Sequence, residues 1–229
     1  LSADGVMTAS GKFIPIRDLP VYKRQYFREN VLGANAPDAK TAGKTLFEDA
    51  AIRLWTLDDE VVIASIKSKM HTISAEVTSG LAKGLEIAEA GYKGLVIWSY
   101  DGPFSAGADL QSMMPAFMAG GGKAIAPFEK QLQDFMLSLR YSNVPTVAAM
   151  HGLALGGGCE LAVHCAKRVA AMETYVGLVE VGVGLIPGGG GLAYQARRAA
   201  ELLETSKGIS GQTPVDLMAY IKEFFQASA

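Results

Sequence analysis

Cysteine is scarce in this chain. Only Cys159 and Cys165 occur among 229 residues, six positions apart in an apolar helical pattern, with no partner pair and no metal-ligand spacing around them. A disulfide framework and a metal centre are therefore not expected. Two buried free thiols in a reducing compartment are. Charge of one sign is lacking as well: 21 basic against 23 acidic residues leave a formal net charge of −2, with no electrostatic footprint for nucleic acid or an anionic membrane. No apolar run reaches the roughly 18 residues of a membrane span, and the N-terminus lacks the basic-then-apolar pattern of a signal peptide. A soluble, cytoplasmic protein is the expectation. No Gly-x-Gly-x-x-Gly stands at a strand-to-helix turn, so dinucleotide binding is not expected. Gly120-Gly121-Gly122-Lys123 fails as a phosphate loop, because Phe117 stands where its first glycine would fall and Ala124 replaces the Ser or Thr. It reads as a flexible loop.

What is present is enough apolar content, 49%, for one large domain or one domain with appendages. Residues 1–49 hold Pro15, Pro20 and Pro37 and a basic-aromatic patch from Tyr22 to Arg28, and read as an arm or interdomain linker. A nucleic-acid contact is disfavoured because the patch is short and flanked by Asp18 and Glu29. From Ala50 the chain tightens into an alternating strand through Leu57, turns at Asp58-Asp59 and continues as a second strand from Glu60 to Ile66, a predicted hairpin. Residues 74–89 predict a helix: Ser74 caps it, Glu76 suits its first turn, Val77, Leu81, Leu85 and Ala88 form one stripe, and Gly91 ends it. Residues 94–99 read as a buried parallel strand. A turn at 102–109 leads into a helix over about 109–118, and Phe128, Leu132, Phe135 and Leu139 mark a second long helix that Asn143-Val144-Pro145 breaks. Strands at 146–150 and 169–172 and helices from about Gly157 and past Gly191 complete the core at 50–200. Residues 201–229 begin a C-terminal helical region, with Thr213 as cap, Pro214 at the first position and Leu217, Ile221 and Phe224 on one face.

Eleven of the chain's 26 glycines lie between Gly152 and Gly191, with Glu160 and Glu180 set among them. Glycine at this density beside β-branched residues lets main-chain N–H groups approach a ligand closely. Gly157 opens a helix, where unpaired N–H groups and the dipole favour negative charge. Glu160 falls in the first turn of that helix, which favours its ionised form. Val179, Val181 and Val183 give Glu180 an apolar setting that should raise its pKa. A solvated turn glutamate is the bland alternative there. His151 and His164 sit in apolar runs and read as core or supporting histidines, with no Ser-His-Asp arrangement around them.

Three segments carry a family resemblance: Phe104-Ser-Ala-Gly-Ala-Asp-Leu110, the run from Pro145 to Glu160, and Val176 to Gly191. In this order, with a 20-residue step from Glu160 to Glu180, they resemble the crotonase superfamily of enoyl-CoA hydratases and isomerases over about residues 50–200. Val179 stands where proline is usual, and Ala166 where an aspartate is. The resemblance implies an α/β fold, a crotonase-like spiral of ββα repeats with its C-terminal helical part truncated here. It implies an acyl-CoA substrate, oxyanion N–H groups at Ala108 and Gly157, and hydratase carboxylates at Glu160 and Glu180. Glu160 would hold and deprotonate water, and Glu180 would protonate the α-carbon.

Ala106, Asp109, Leu110 and Gln111 would then line the thioester and pantetheine, while Lys67 and Lys69 would meet the phosphates of coenzyme A or remain solvated. No cofactor is expected beyond the coenzyme A that the substrate carries. The arm and the stretch after 200 also resemble the hydratase region of multifunctional 3-hydroxyacyl-CoA dehydrogenases, which implies association with a dehydrogenase domain or between copies. Poor catalysis by the chain alone, improved by restoring downstream sequence, is a further expectation. A double-bond isomerase and a non-catalytic assembly module stand as alternatives.

Overall fold

A computed structural model of the chain describes residues 5–15, 18–19, 42–207, 218 and 221–222. Two compact units divide at Gly43. In the first, β1 (Gly5–Met7) and β2 (Phe13–Pro15) pair antiparallel across a turn that Thr8 closes, its hydroxyl accepting from the Lys12 N–H. The basic-aromatic patch at 22–28 lies outside the described residues.

The second unit is built on a six-stranded sheet of order β3-β4-β5-β6-β7-β9. Its first strand, β3 (Lys44–Glu48), pairs antiparallel with β4 (Ile52–Thr56), so the sheet reaches six residues into the stretch read from sequence as an arm. The strand escapes a periodicity reading because only Leu46 and Phe47 pack on the core and both its ends are charged. Asp49 shapes the turn, accepting from the N–H groups of Ala51 and Ile52. β5 (Val62–Ile66) forms the predicted hairpin with β4, and Asp59 takes a left-handed φ of 59° at its tip.

From β5 onward the sheet is parallel: β6 (Leu95–Ile97), β7 (Thr146–Met150) and β9 (Lys167–Ala170) follow in register. After each of these strands the chain makes a second, shorter extended segment. Ile73 bridges Ala108, Ser105 bridges Ala154, and β8 (Leu153–Leu155) pairs parallel with β10 (Tyr175–Gly177). A helix or helical turn follows each segment. The repeat is strand, short strand, helix, wound as a spiral, and it matches the fold expected.

Helix α1 (Ala75–Gly91) starts where its cap predicts, with the Ser74 hydroxyl accepting from the Val77 N–H. Its buried face is Val77, Leu81, Leu85 and Ala88. Gly80 and Gly84 stand on the same face, and a Cβ on either would lie 2.4 Å from the Ile52 side chain or 2.9 Å from that of Leu54. Glycine is what lets this helix lie against β4. Helix α2 (Leu110–Arg140) runs through the stretch predicted as a loop and breaks at one residue, Gly121, with φ 59° and ψ −151°. Three glycines weaken a helix, yet only the middle one leaves it. All four buried residues of α2 lie beyond the break: Leu132, Phe135, Met136 and Leu139. Helix α3 spans Gly157–His164 and α4 spans Gly191–Lys207, longer than the periodicity indicates. Met218, Ile221 and Lys222 are helical, while Thr213, Pro214, Leu217 and Phe224 lie outside the described residues. No helix among the described residues is long and apolar enough to cross a membrane.

Candidate active site

The short strands bring two turns together. Ser105 donates to the Leu153 carbonyl and accepts from the Leu155 N–H through its main chain, at 2.9 and 3.0 Å. Its side chain donates to the His71 carbonyl and accepts from the Gly107 N–H. This buried serine therefore fixes the bend at Gly107, where φ reaches +102°. Across from it, Gly156 takes φ +52° as the N-cap of α3. The bends bring Ala108 and Gly157 so close that a Cβ on Gly157 would stand 3.2 Å from the Ala108 nitrogen. Neither N–H has a hydrogen-bond partner among the described residues. Two unpaired donors side by side, one at a helix start, suit an oxygen that gains negative charge.

Two carboxylates lie on the same cleft of about 800 Å³, together with a third that sequence reasoning missed. Glu160, on α3, is 3% exposed. Burial pushes its pKa up to about 7, against the pull of the Gly191 and Gly189 N–H groups and with a further rise from the Glu180 charge. Gly191 donates to Oε1 at 2.8 Å. The ionised state expected from the helix start is thus not what the site imposes, because removal from water outweighs the dipole.

Glu180 opens a 3-10 turn (Glu180–Val183). Its two oxygens are buried without a partner among the described residues, and burial raises its pKa. The direction is the one expected. Val179, Val181 and Val183 are exposed, and Val179 and Val183 line the same cleft as the carboxyl. Glu129, on α2, is half-buried, and burial and the Glu180 charge raise its pKa too. Its signal in the sequence was position: one residue past Phe128, it shares a helix face with Leu132 and Gln133 at three and four residues' spacing.

Of the expected substrate contacts, Ala106 and Leu110 line the cleft. Asp109 instead caps α2, accepting from the Ser112 N–H. Gln111, Lys67 and Lys69 are not among the cleft-lining residues. Lys67 is engaged elsewhere, its Nζ 2.8 Å from Glu48 and 2.5 Å from the Asp49 carbonyl. His151 is not a lining residue either. His164 Nδ1 donates to the Glu160 carbonyl at 2.7 Å, and burial lowers its pKa, which suits a supporting histidine. The thiols of Cys159 and Cys165 are buried, and burial pushes them up to about 11 and about 12. Such shifts disfavour the thiolate form in both.

Unpaired amides on one cleft with carboxylates whose pKa values burial raises define an enzyme site for chemistry beside a carbonyl. Residues 60–212 match the enoyl-CoA hydratase/isomerase family, and the chain belongs to that family. It is 38% identical over 164 residues to a probable 3-hydroxyacyl-CoA dehydrogenase of Bacillus subtilis, covering 72% of this chain and 21% of the relative. It is 34% identical over 174 residues to a putative fatty acid oxidation complex trifunctional enzyme of Rickettsia felis, covering 74% and 24%. The chain thus spans between a fifth and a quarter of the length of these curated relatives. Among solved structures it is similar to an enoyl-CoA hydratase from Polaromonas, with 28% identity and a TM-score of 0.59 over 64% of this chain and 58% of that one. An enoyl-CoA hydratase from Thermoplasma volcanium gives 27% and 0.58 over 70% and 66%.

Proposed function

We propose that this chain is an enoyl-CoA hydratase unit that adds water across the double bond of 2-enoyl-CoA thioesters in fatty-acid β-oxidation, as one domain of a protein that also carries 3-hydroxyacyl-CoA dehydrogenase activity. The observation that carries this reading is the pairing of Glu160 and Glu180 on the cleft that holds the Ala108 and Gly157 amides. When water adds at the β-carbon, electron density moves to the thioester oxygen. Two preorganised N–H groups answer that charge, each typically worth ~100- to 1000-fold in rate.

Glu180, with two buried oxygens lacking a donor among the described residues, and Glu160, drawn on by the Gly191 and Gly189 N–H groups, share the cleft and would handle water and the α-carbon proton. A carboxyl near pH 7 can both take and return a proton, so Glu160 serves either half of the addition. The steps balance without a resident cofactor, since water supplies the hydroxyl at the β-carbon and the proton at the α-carbon. Coenzyme A arrives and leaves with the substrate. Two buried free thiols accord with a reducing, cytoplasmic setting.

The test is the ultraviolet absorbance of the conjugated thioester. Purified protein mixed with crotonyl-CoA should bleach it at a rate proportional to enzyme. An unchanged spectrum alongside demonstrable crotonyl-CoA binding would overturn the hydratase reading.

A further inference from the structure

A second recess lies at the far end of α3 from Gly157. It has a volume of about 420 Å³, and its walls include Arg140, His164, Arg168, Tyr194, Arg197 and Arg198. Four guanidinium groups from α2, β9 and α4 meet there against one carboxylate, Glu201, in a chain whose formal net charge is −2. Glu201 stands 3.4 Å from Arg197 Nε and 3.7 Å from Arg198 Nη1. Among the described residues, four positive charges less one negative leave an excess of three.

The Nε atoms of Arg140 and Arg197 are buried and have no hydrogen-bond partner among the described residues. Arg140 Nε is thus a buried cationic donor without an acceptor, which is costly, whereas Arg197 Nε keeps Glu201 at ion-pair distance, and like charges gathered from separate elements repel. The α3 carbonyls that would oppose an anion are answered in part by Arg168, whose Nη1 donates to the Cys165 carbonyl at 3.1 Å. Tyr194 forms an aromatic wall, its ring 5.5 Å from the Arg197 guanidinium.

We propose that this recess binds a multiply charged phosphate ligand, of which diphosphate is the smallest. The arginine fork suits paired phosphate oxygens. An excess of three matches the charge of a diphosphate, whereas one carboxylate would leave two charges unanswered. The volume exceeds what a single phosphate fills and falls in the range of small-molecule sites. The site is separate from the cleft and does not rest on the hydratase reading.

Calorimetric titration of the intact protein with sodium pyrophosphate at low salt is the test, with ADP and citrate as parallel arms. Pyrophosphate should bind with a Kd below about 1 mM, weakened about 10-fold or more in Arg140→Gln and in Arg197→Gln. Arg168→Gln, on an exposed strand, supplies a variant that keeps the helices intact, and circular dichroism confirms folding of each. Glu160→Gln should bind as the wild type does. ADP binding as tightly as pyrophosphate would assign the diphosphate of a nucleotide, and pyrophosphate alone the free anion. The proposal is overturned by absent binding, by citrate binding as tightly as pyrophosphate, by affinity unchanged in all three arginine variants, or by affinity lost in Glu160→Gln.

Discussion

Glu160 occupies the N-terminal part of α3, where the helix dipole favours an anion by roughly 0.3–1 kcal/mol at a surface, yet its pKa is pushed up to about 7 by burial. The folded state therefore holds a proton that the unfolded chain releases at the ordinary value of 4.5. The sign follows: this contribution to stability is complete below about pH 4.5 and is lost as pH rises through about 7. The interval corresponds to about 3 kcal/mol. Urea midpoints should fall from about pH 5 to about pH 7.5 in the wild type, and Glu160→Gln should flatten that slope. A wild-type midpoint level over this range would remove the proton from Glu160. In turnover, Glu160→Gln and Glu180→Gln should each cost ~100-fold or more with the circular dichroism spectrum unchanged, since each takes away one proton-transfer function. The two carboxylates are legible in sequence through their motifs. Their charge states are not, because Glu160 is enclosed by a glycine loop about thirty residues downstream whose approach no local pattern records.

At the scale of elements, the two bends decide more than the helices. Gly157 has an ordinary φ, so alanine there is tolerated by the backbone and favoured by helix propensity by about 1 kcal/mol. Its methyl would nevertheless stand 3.2 Å from the Ala108 nitrogen, where the substrate oxygen needs room. Gly157→Ala should therefore keep its melting temperature within a few degrees while crotonyl-CoA turnover drops ~100-fold, read by thermal melt and absorbance in parallel. An active, stable variant would move the oxyanion site elsewhere. Periodicity identifies α1 and the buried half of α2, where a stripe repeats over several turns. It misses β3, β8 and β10, because strands of three to five residues hold too few alternations, and β8 and β10 find their pairing across nineteen intervening residues.

At the scale of the whole molecule, the stretch of chain from β9 to the loop before α4 is rich in exposed apolar residues. Val169, Met172, Tyr175, Val176, Val181, Val183 and Ile186 are all exposed there, a concentration beyond the scattered apolar residues normal for a surface. Sedimentation of the protein should depend on concentration, and replacing Met172 and Val181 together by serine should weaken self-association without lowering the thermal midpoint. Sheet order at this scale was not legible from the residues alone, since β7 and β9 are separated by a complete repeat. The break at Gly121 carries its own consequence. It leaves residues 110–120 as a half-helix with no buried side chain of its own, too short to persist unaided in water, and this segment brings Leu110 and Met113 to the cleft. This part of the cleft wall thus lacks the buried side chains that anchor the helix beyond the break. Hydrogen exchange should therefore be faster in residues 110–120 than in the buried half beyond the break, and equal protection of the two halves would show that the segment is held by other means.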